Sequence, residues 1–308
     1  MTADYQAAAA ELVTLRDFLR WTTSRFHKAQ LFYGHGNDDA FNEATQLILH
    51  SLQLPVSEMP DIFLDARLTS NEKQALLNLI QQRIDKRIPV PYLTHEAWFA
   101  GLPFYVDDRV LIPRSPFAEL IANDFSPWLT TPENVSHILD MCTGSACIAI
   151  ALAYAFPEAS VDAVDISSDA LDVAKVNQSK HQLADRLQLI ESDLWSNLDK
   201  TQQYDLIVSN PPYVGDAEMA ILPAEYRHEP AAALRADDNG LALVEQIIIG
   251  AAEFLTPEGL LFVEVGNSDE AVSEKWPTMD FMWLDFEQGG HGIFMLTQPQ
   301  CLAFANKY

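Results

Sequence analysis

The sequence predicts an α/β fold, an open and mostly parallel sheet covered by helices, with a smaller helical domain in front of it. Three observations predict this fold. Short apolar runs alternate with helical patterns from residue 117 onward, which is typical of a parallel sheet with helices on both faces. The last two apolar runs are separated only by a Gly-rich turn. The first ninety or so residues show helical spacing instead, from Leu12 to Phe26 and from Phe41 to Leu52.

A third N-terminal helix has clear start and stop signals. Thr69 stands three residues before Glu72, the arrangement of a capping box, and a stripe of apolar residues follows. Pro89 and Pro91 end the helix, because proline lacks a backbone N–H and disfavours helix in the residue before it. We therefore predict a helical domain over residues 1–93.

The segment 94–116 is predicted to be a linker between two domains. Short extended runs replace the helical pattern here, and Asp107-Asp108 stands between Tyr105-Val106 and Val110-Leu111. This pattern predicts a β-hairpin that turns at the two aspartates.

Residues 117–308 are predicted to form a Rossmann-like domain with a seven-stranded sheet. The strands are ILDMC, VDAVDI, LQLIES, YDLIVSN, GLLFVEV, FMWLDFE and GIFMLT, with helices that end near Ala155, Lys180 and Leu255. Only QGGHG joins the last two strands, which is too short for a parallel crossover and predicts an antiparallel terminal hairpin. This arrangement is typical of class I methyltransferases.

The charge of the chain bears on its partners. The chain has 19 Lys and Arg against 44 Asp and Glu, a net charge of −25, and no long basic run. Nucleic acids are usually bound through clustered Lys and Arg, so we expect no direct nucleic-acid contact and favour a basic protein partner. The acidity can also serve solubility alone or reflect a saline or cold habitat, and this alternative stays open.

Other features bear on location and on metals. The sequence has no apolar run of about 20 residues, as a membrane helix needs, and no secretory signal, so we expect a cytoplasmic protein. Cys142, Cys147 and Cys301 are too few for a disulfide framework or a zinc site. The acidic loop over residues 216–239 is predicted to be a substrate lid or a solvated loop, and no metal site is predicted. A homo-oligomer stays open, since no dimer-specific apolar patch is apparent.

Three strand ends carry candidate cofactor residues. In open α/β sheets, ligands bind at the carboxyl ends of the strands. A small-residue loop follows the first strand, and its backbone N–H groups can approach a ligand. Asp165 and Asp193 follow the second and third strands, where they can accept hydrogen bonds from a ribose and an adenine amine. With neighbouring residues, the predicted cofactor set is Asp140, Cys142, Thr143, Gly144, Ser145, Ala146, Asp165, Ile166, Asp193, Leu194 and Asn210.

The fourth strand ends in Asn210-Pro211-Pro212-Tyr213, the candidate catalytic residues. A planar amide nitrogen is a poor nucleophile because its lone pair is delocalised, so an enzyme that methylates it must orient it. The side-chain oxygen of Asn210 and the carbonyl oxygen of Pro211 can accept both N–H groups of an amide. The two prolines restrict the turn, and the Tyr213 ring can pack over the planar group.

These residues resemble a known family, the protein-glutamine N-methyltransferases that carry an Asn-Pro-Pro-Tyr motif. Arg114 is followed by Ser115-Pro116-Phe117, where the release-factor enzymes have Pro-Glu-Thr, so the chain is most similar to the branch that methylates large-subunit ribosomal protein L-three. The resemblance covers most of residues 88–297. Its matching stretches are PVPYLTHEAWFAGLPFYVDDRVLIPRSPFAELI, LDMCTGSACIAIA, DAVDIS, DLIVSNPPYV, LPAEYRHEPAAAL and FEQGGHGIF.

The resemblance implies S-adenosylmethionine as the cofactor, which would lie across residues 142–146 with Asp165 as its ribose partner. It implies that residues 210–213 hold the glutamine, and the helical domain is expected to recognise the protein substrate. One departure is Ala146, where the family usually has Gly. On condition that its φ is negative, we expect Ala146 to lower cofactor affinity without abolishing binding.

Three rival functions stay open at this stage. The first is methylation of a release-factor glutamine, which only the Ser115–Phe117 stretch and the overall similarity disfavour. The second is methylation of an adenine amine in DNA or RNA, which the net charge disfavours. The third is a noncatalytic ribosome-assembly protein with a decayed cofactor pocket, which only Ala146 favours.

Overall fold

The computed structural model describes residues 3–55, 59–287 and 289–308. The chain forms two units: one comprises residues up to Glu96 together with Pro223–His228, and the other comprises Ala97–Leu222 and Glu229–Tyr308. A short stretch that follows the fourth predicted strand therefore belongs to the helical unit.

The helical unit is built on the predicted helices. Its elements are α1 (Ala3–Glu11), α2 (Leu15–Lys28), α3 (Ala40–Ser51), α4 (Ser70–Lys86) and α5 (Val90–Thr94), with 3₁₀ turns over Asp61–Asp65 and Ala224–His228. The capping box of Thr69 and Glu72 is present at the start of α4, and Thr14 and Asp17 form a second one at α2. Each box satisfies backbone N–H groups that a helix start leaves without partners.

Two details of the helical pattern differ from the prediction. Phe41 is 56% exposed, and α3 packs through Ala40, Ala44, Leu47 and Ile48 instead. In α4 the buried face includes Arg83, whose guanidinium donates to Glu43 and Glu225. A buried, paired arginine is invisible to a search for apolar periodicity, because that search treats every charged residue as exposed.

The predicted hairpin exists, but its position was wrong. The antiparallel strands are β1 (Ala97–Phe99) and β2 (Leu102–Phe104), which turn at Ala100 and Gly101. Both turn residues have positive φ, which suits a tight hairpin turn. Asp107 forms a turn of its own, since its carboxylate accepts from the backbone N–H and the side chain of Arg109. That local hydrogen bonding produces a turn without flanking strands.

The second unit contains a seven-stranded sheet, as predicted. Its strands are β3 (His137–Met141), β4 (Ser160–Asp165), β5 (Leu187–Glu191), β6 (Tyr204–Ser209), β7 (Leu255–Glu264), β8 (Met282–Trp283) and β9 (Ile293–Thr297), in the order β5-β4-β3-β6-β7-β9-β8. The first five run parallel, whereas β9 is antiparallel to both β7 and β8. Gln288, in the predicted turn between β8 and β9, lies outside the described residues.

Helices cover both faces of this sheet. They are α6 (Phe117–Ala122), α7 (Cys147–Ala155), α8 (Ser168–Lys180), α9 (Asp216–Met219), α10 (Ala231–Leu234), α11 (Leu241–Phe254), α12 (Asp269–Lys275) and α13 (Gln298–Ala305). One apolar cluster joins α6 and α7 to one face, and a second joins α11 and α13 to the other. The order of the sheet changes direction between β3 and β6, so the carboxyl ends of these two strands flank the crevice where ligands bind in such sheets.

Candidate active site

The loop after β3 is held by hydrogen bonds from its own neighbourhood. The Asp140 carboxylate is buried and accepts from the Thr143 hydroxyl at 2.6 Å and from the Ala149 N–H at 3.1 Å. Its other oxygen, Oδ1, is buried without a hydrogen-bond partner in the described part of the chain. Burial raises the pKa of Asp140 to about 7. Asp140 thus stabilises the loop through hydrogen bonds from its own residues and from the following helix.

Three alternate residues of this loop adopt positive φ. They are Cys142 (φ 64°), Gly144 (φ 56°) and Ala146 (φ 62°). These are the positions where a strict glycine fingerprint would place Gly, and the backbone explains that preference, since left-handed φ costs a residue with a Cβ about 1–2 kcal/mol. The φ of Ala146 is therefore positive, whereas the expectation of cofactor binding with lowered affinity required a negative φ. Its side chain is buried in the core cluster beside α7, so the departure strains the turn and does not narrow the cavity.

Asp165 connects this loop to the end of β4. Its carboxylate accepts from the backbone N–H of Gly144 at 2.8 Å and of Ser167 at 2.9 Å. Burial raises its pKa, and these backbone hydrogen bonds oppose the rise. Two backbone donors therefore hold one carboxylate, which keeps unused lone pairs for a ligand.

A cavity of about 370 Å³ lies at these strand ends. Ten of the predicted residues line it, and they are Cys142, Thr143, Gly144, Ser145, Asp165, Ile166, Asp193, Leu194, Asn210 and Pro212. Its volume is in the range of small-molecule sites. Asp140 and Ala146 line neither this cavity nor the smaller one beside it.

The smaller cavity, of about 130 Å³, is lined by Asn210, Pro211 and Tyr213 together with Arg114 and Glu264. Asn210 and Arg114 line both cavities. The residue predicted to orient a substrate amide thus stands at the boundary between a larger cavity and one of about the size of a side chain.

Glu264, at the end of β7, is the principal site residue that the sequence reasoning missed. It is 4% exposed and accepts hydrogen bonds from the hydroxyl groups of Ser115 and Tyr213, and the side chain of Asn210 lines the same small cavity beside it. Burial raises its pKa to about 7, against the effect of these donors and of the Arg114 charge. A signal was available, because Glu264 follows a buried strand in the same way as Asp165 does.

Tyr213 is fixed at both its hydroxyl group and its ring, and it lines the smaller cavity, while its packing over a substrate amide stays a prediction. Its hydroxyl donates to Glu264 at 3.1 Å, and its ring lies against Gly266 so closely that a Cβ there would come within 2.5 Å of the ring. Gly240, at φ 77°, makes a similar approach to the Pro212 carbonyl. Residues from distant parts of the chain therefore hold the Asn-Pro-Pro-Tyr turn from both sides.

The acidic loop over residues 216–239 is only partly solvated, which corrects the solvated-loop alternative and leaves the substrate lid a prediction. Glu229 is buried and accepts from the backbone N–H of Ile112 and from Arg114, whose Nη2 lies 2.7 Å from Oε2. Glu225 is also buried and pairs with Arg83 within the helical unit. Buried carboxylates need such partners, because an unpaired buried charge is strongly destabilising.

The fold and the larger cavity together define a class of protein. A sheet of five parallel strands that ends in an antiparallel pair, with a cavity at the switch point and an acidic residue at the end of β4, belongs to the class I S-adenosylmethionine-dependent methyltransferases. The residues fit this cofactor. Asp165 keeps lone pairs for ribose hydroxyl groups, and Ile166 and Leu194 provide apolar surface for a base.

Comparison with known proteins specifies the family. A family model described as "Methyltransferase small domain" matches residues 126–226. The ribosomal protein uL3 glutamine methyltransferase of Neisseria meningitidis serogroup A is 46% identical over 97% of this chain and 97% of its own length, and that of Neisseria gonorrhoeae is 46% identical over 97% and 99%. The chain belongs to the family of ribosomal protein uL3 glutamine methyltransferases.

The fold also resembles solved structures of much lower sequence identity. The catalytic domain of hMettl16 in complex with a MAT2A hairpin is 17% identical, with a TM-score of 0.49 over 73% of this chain and 80% of that chain.

In the described part of the chain, no helix is long and apolar enough to cross a membrane. Within those same residues, no group of three or more His, Cys, Asp or Glu could hold a metal ion.

Proposed function

We propose that this chain transfers a methyl group from S-adenosylmethionine to the side-chain amide nitrogen of a glutamine in ribosomal protein uL3. One observation carries the proposal beyond the family: Asn210 lines both the larger cavity, which fits the cofactor, and the smaller cavity, which fits one side chain. A residue in that position can touch the amide that receives the methyl group.

The cofactor end of the proposed site acts by binding and orientation. The cofactor, when bound, supplies an electrophilic methyl group on a sulfonium centre. Asp165 would accept from the ribose hydroxyl groups, with its carboxylate held by Gly144 and Ser167. Asp193 and Leu194 would face the base, and residues 142–145 would face the amino-acid portion.

The substrate end of the proposed site acts by orienting a weak nucleophile. The Asn210 side-chain oxygen and the Pro211 carbonyl would accept the two N–H groups of the glutamine amide, which directs the nitrogen lone pair toward the larger cavity. After methyl transfer, the nitrogen carries one proton in excess, and water would accept it. Catalysis is therefore mostly positioning.

The distribution of charge supports a basic protein partner. Residues 1–96 contain 12 Asp and Glu against 9 Lys and Arg, whereas residues 97–308 contain 32 against 10. The acidic charge thus belongs almost entirely to the methyltransferase part of the chain, where it would accelerate association with a basic ribosomal protein. We assign substrate recognition to the helical unit and place the enzyme in the cytoplasm.

The proposal is tested by incubating the chain with isotopically labelled cofactor and, separately, with uL3, a release factor and ribosomal RNA. Mass spectrometry then locates the label. We expect one methyl group on a glutamine of uL3. Label on the release factor or on an adenine amine would show that the substrate is that molecule and not uL3. Cofactor binding without label on any substrate would favour a noncatalytic protein.

A further inference from the structure

Glu264 is a buried carboxylate beside the candidate catalytic turn, yet it has no part in methyl transfer as described above. It lies at the end of β7 and lines the smaller cavity with Asn210, Pro211 and Tyr213. A buried carboxylate is costly unless donors surround it. Its presence beside the turn therefore calls for a function that offsets this cost.

The polar side chains around Glu264 come from two separate parts of the chain. Ser115, in the segment before α6, and Tyr213, in the turn after β6, donate to it, and Asn210 at the start of that turn lines the same small cavity. Ser115 is also the first residue of the Ser-Pro-Phe stretch that distinguishes this chain from the release-factor enzymes. The Ser-Pro-Phe stretch thus contacts the candidate site through the hydrogen bond from Ser115 to Glu264.

The hydrogen-bonding chemistry of a carboxylate determines which way the Asn210 amide faces. An ionised carboxylate only accepts, so the group that the Asn210 amide turns toward Glu264, across the cavity lining that they share, is its NH₂ group. The carbonyl oxygen Oδ1 of Asn210 is then left for the cavity. This is the orientation that the proposed capture of a substrate amide requires, since an amide N–H needs an acceptor.

We propose that Glu264 is a positioning residue for methyl transfer, which holds the Asn210 amide with its oxygen toward the substrate through the Ser115–Glu264–Tyr213 cluster. This inference rests on the proposed function. If Glu264 is protonated, it becomes a donor and no longer selects that orientation, so methylation should need the ionised form.

The ionisation of Glu264 falls in an accessible pH range. Burial raises its pKa to about 7, while Ser115, Tyr213, Arg114 and Asn210 oppose the rise. Among its charged and titratable neighbours, Arg114 and Tyr213 favour the ionised form of Glu264. Arg114 keeps its charge and is paired with Glu229, and burial raises the pKa of Tyr213, which stays protonated.

The first test compares Glu264→Gln with the control Asp205→Asn, which also replaces a carboxylate by an amide. Asp205 lies near the start of β6, at the end of that strand away from Asn210, and accepts from the backbone N–H groups of Ser136 and His137. We expect Glu264→Gln to lower kcat about 100-fold while the Kd of the cofactor stays within about twofold, because its side chain lines the substrate cavity only. Wild-type kcat should fall below pH 7, and this acidic limb should vanish in Glu264→Gln. Asp205→Asn should keep both kcat and the limb.

The second test does not need methylation. Selective ¹⁵N labelling of asparagine reports the side-chain NH₂ of Asn210, which is assigned by its loss in Asn210→Ala. Its chemical shift should titrate with a midpoint near pH 7 in the wild type and in Asp205→Asn, and not in Glu264→Gln.

These outcomes separate the two proposals. A wild-type kcat and acidic limb in Glu264→Gln, or an Asn210 signal that ignores pH, would overturn the positioning role. If uL3 is not methylated while the Asn210 signal still titrates through Glu264, the positioning role stands and the assigned substrate is wrong. Asp140, whose pKa burial also raises to about 7, accepts from Thr143 and Ala149 and is unchanged in Glu264→Gln, so an acidic limb or an Asn210 titration that this variant removes does not come from Asp140.

Discussion

Asp165 and Glu264 both end a strand of the sheet and both lie at the site, but the molecule holds them in different ways. Backbone N–H groups of Gly144 and Ser167 bind Asp165, whereas the side-chain hydroxyl groups of Ser115 and Tyr213 bind Glu264. Backbone donors survive most substitutions, and side-chain donors do not. The cofactor end should therefore tolerate changes around its carboxylate, while the substrate end should respond to each single change.

The largest effect is expected for Asn210→Ala. This change removes the proposed acceptor of the substrate amide and should lower kcat at least about 100-fold, as loss of a preorganised polar group does, while the cofactor Kd changes less than about threefold. Enzyme kinetics and calorimetric titration measure the two quantities. The exposed Asn197, after β5, provides the control Asn197→Ala, which should keep wild-type turnover. An active Asn210→Ala enzyme would remove the basis of the proposed mechanism.

The converse change is Asp165→Ala at the cofactor end. Loss of hydrogen bonds from a charged group should raise the cofactor Kd about 10- to 100-fold, with kcat at saturating cofactor reduced much less. Calorimetric titration and saturation kinetics measure this split. A variant that binds cofactor normally but turns over slowly would reverse the assignment of the two ends.

A smaller effect is expected for Tyr213→Phe, which removes one donor to Glu264. Because that donor stabilises the ionised form, its loss should raise the pKa of Glu264 further and move the acidic limb of kcat to higher pH. At pH 6 we expect about a 10-fold loss of activity, since a shift of one pH unit is a factor of ten. The half-exposed Tyr154 gives the control Tyr154→Phe, whose profile should match the wild type. A shift of the acidic limb to lower pH would contradict the stabilisation of ionised Glu264 by the Tyr213 hydroxyl group.

The smallest effect is expected for Ala146→Gly, which tests backbone strain at the cofactor end. Removing a buried methyl group costs about 1 kcal/mol, and relief of positive φ returns about 1–2 kcal/mol, so the free energy of unfolding should change by less than about 1 kcal/mol. Ala151→Gly, in the middle of α7, loses the methyl group without this relief and should destabilise by about 1–2 kcal/mol. Chemical denaturation measures both. Equal losses would show that φ at residue 146 stores no strain.

Much of the fold was predictable because its signals are local. Buried strands read as apolar runs, and the predicted strands and helices of residues 117–308 correspond to β3–β9, α7, α8 and α11. The hairpin of residues 97–104 was misplaced because the Asp107-Asp108 pair makes a turn of its own. Local hydrogen bonding competes with strand pairing, and composition alone does not show which of the two forms.

The candidate site was predictable as far as strand ends are visible in sequence. The rule that ligands bind at the carboxyl ends of strands located Asp165, Asp193 and Asn210 at one cavity. It did not show that Asp140 is buried behind the loop or that Glu225 belongs to the helical unit. Both depend on which charged residues find buried partners, and that depends on packing.

The sequence by itself determined the alternation of strands and helices, the antiparallel end of the sheet, and the place of Asn210 at the end of a strand, because each depends on residues near one another in the chain. Only the tertiary structure decided the cluster around Glu264. Ser115 and Glu264 are 149 positions apart, and Tyr213 and Glu264 are 51 apart. Hydrogen bonds over such separations follow from the strand order of the sheet, and no local pattern encodes them.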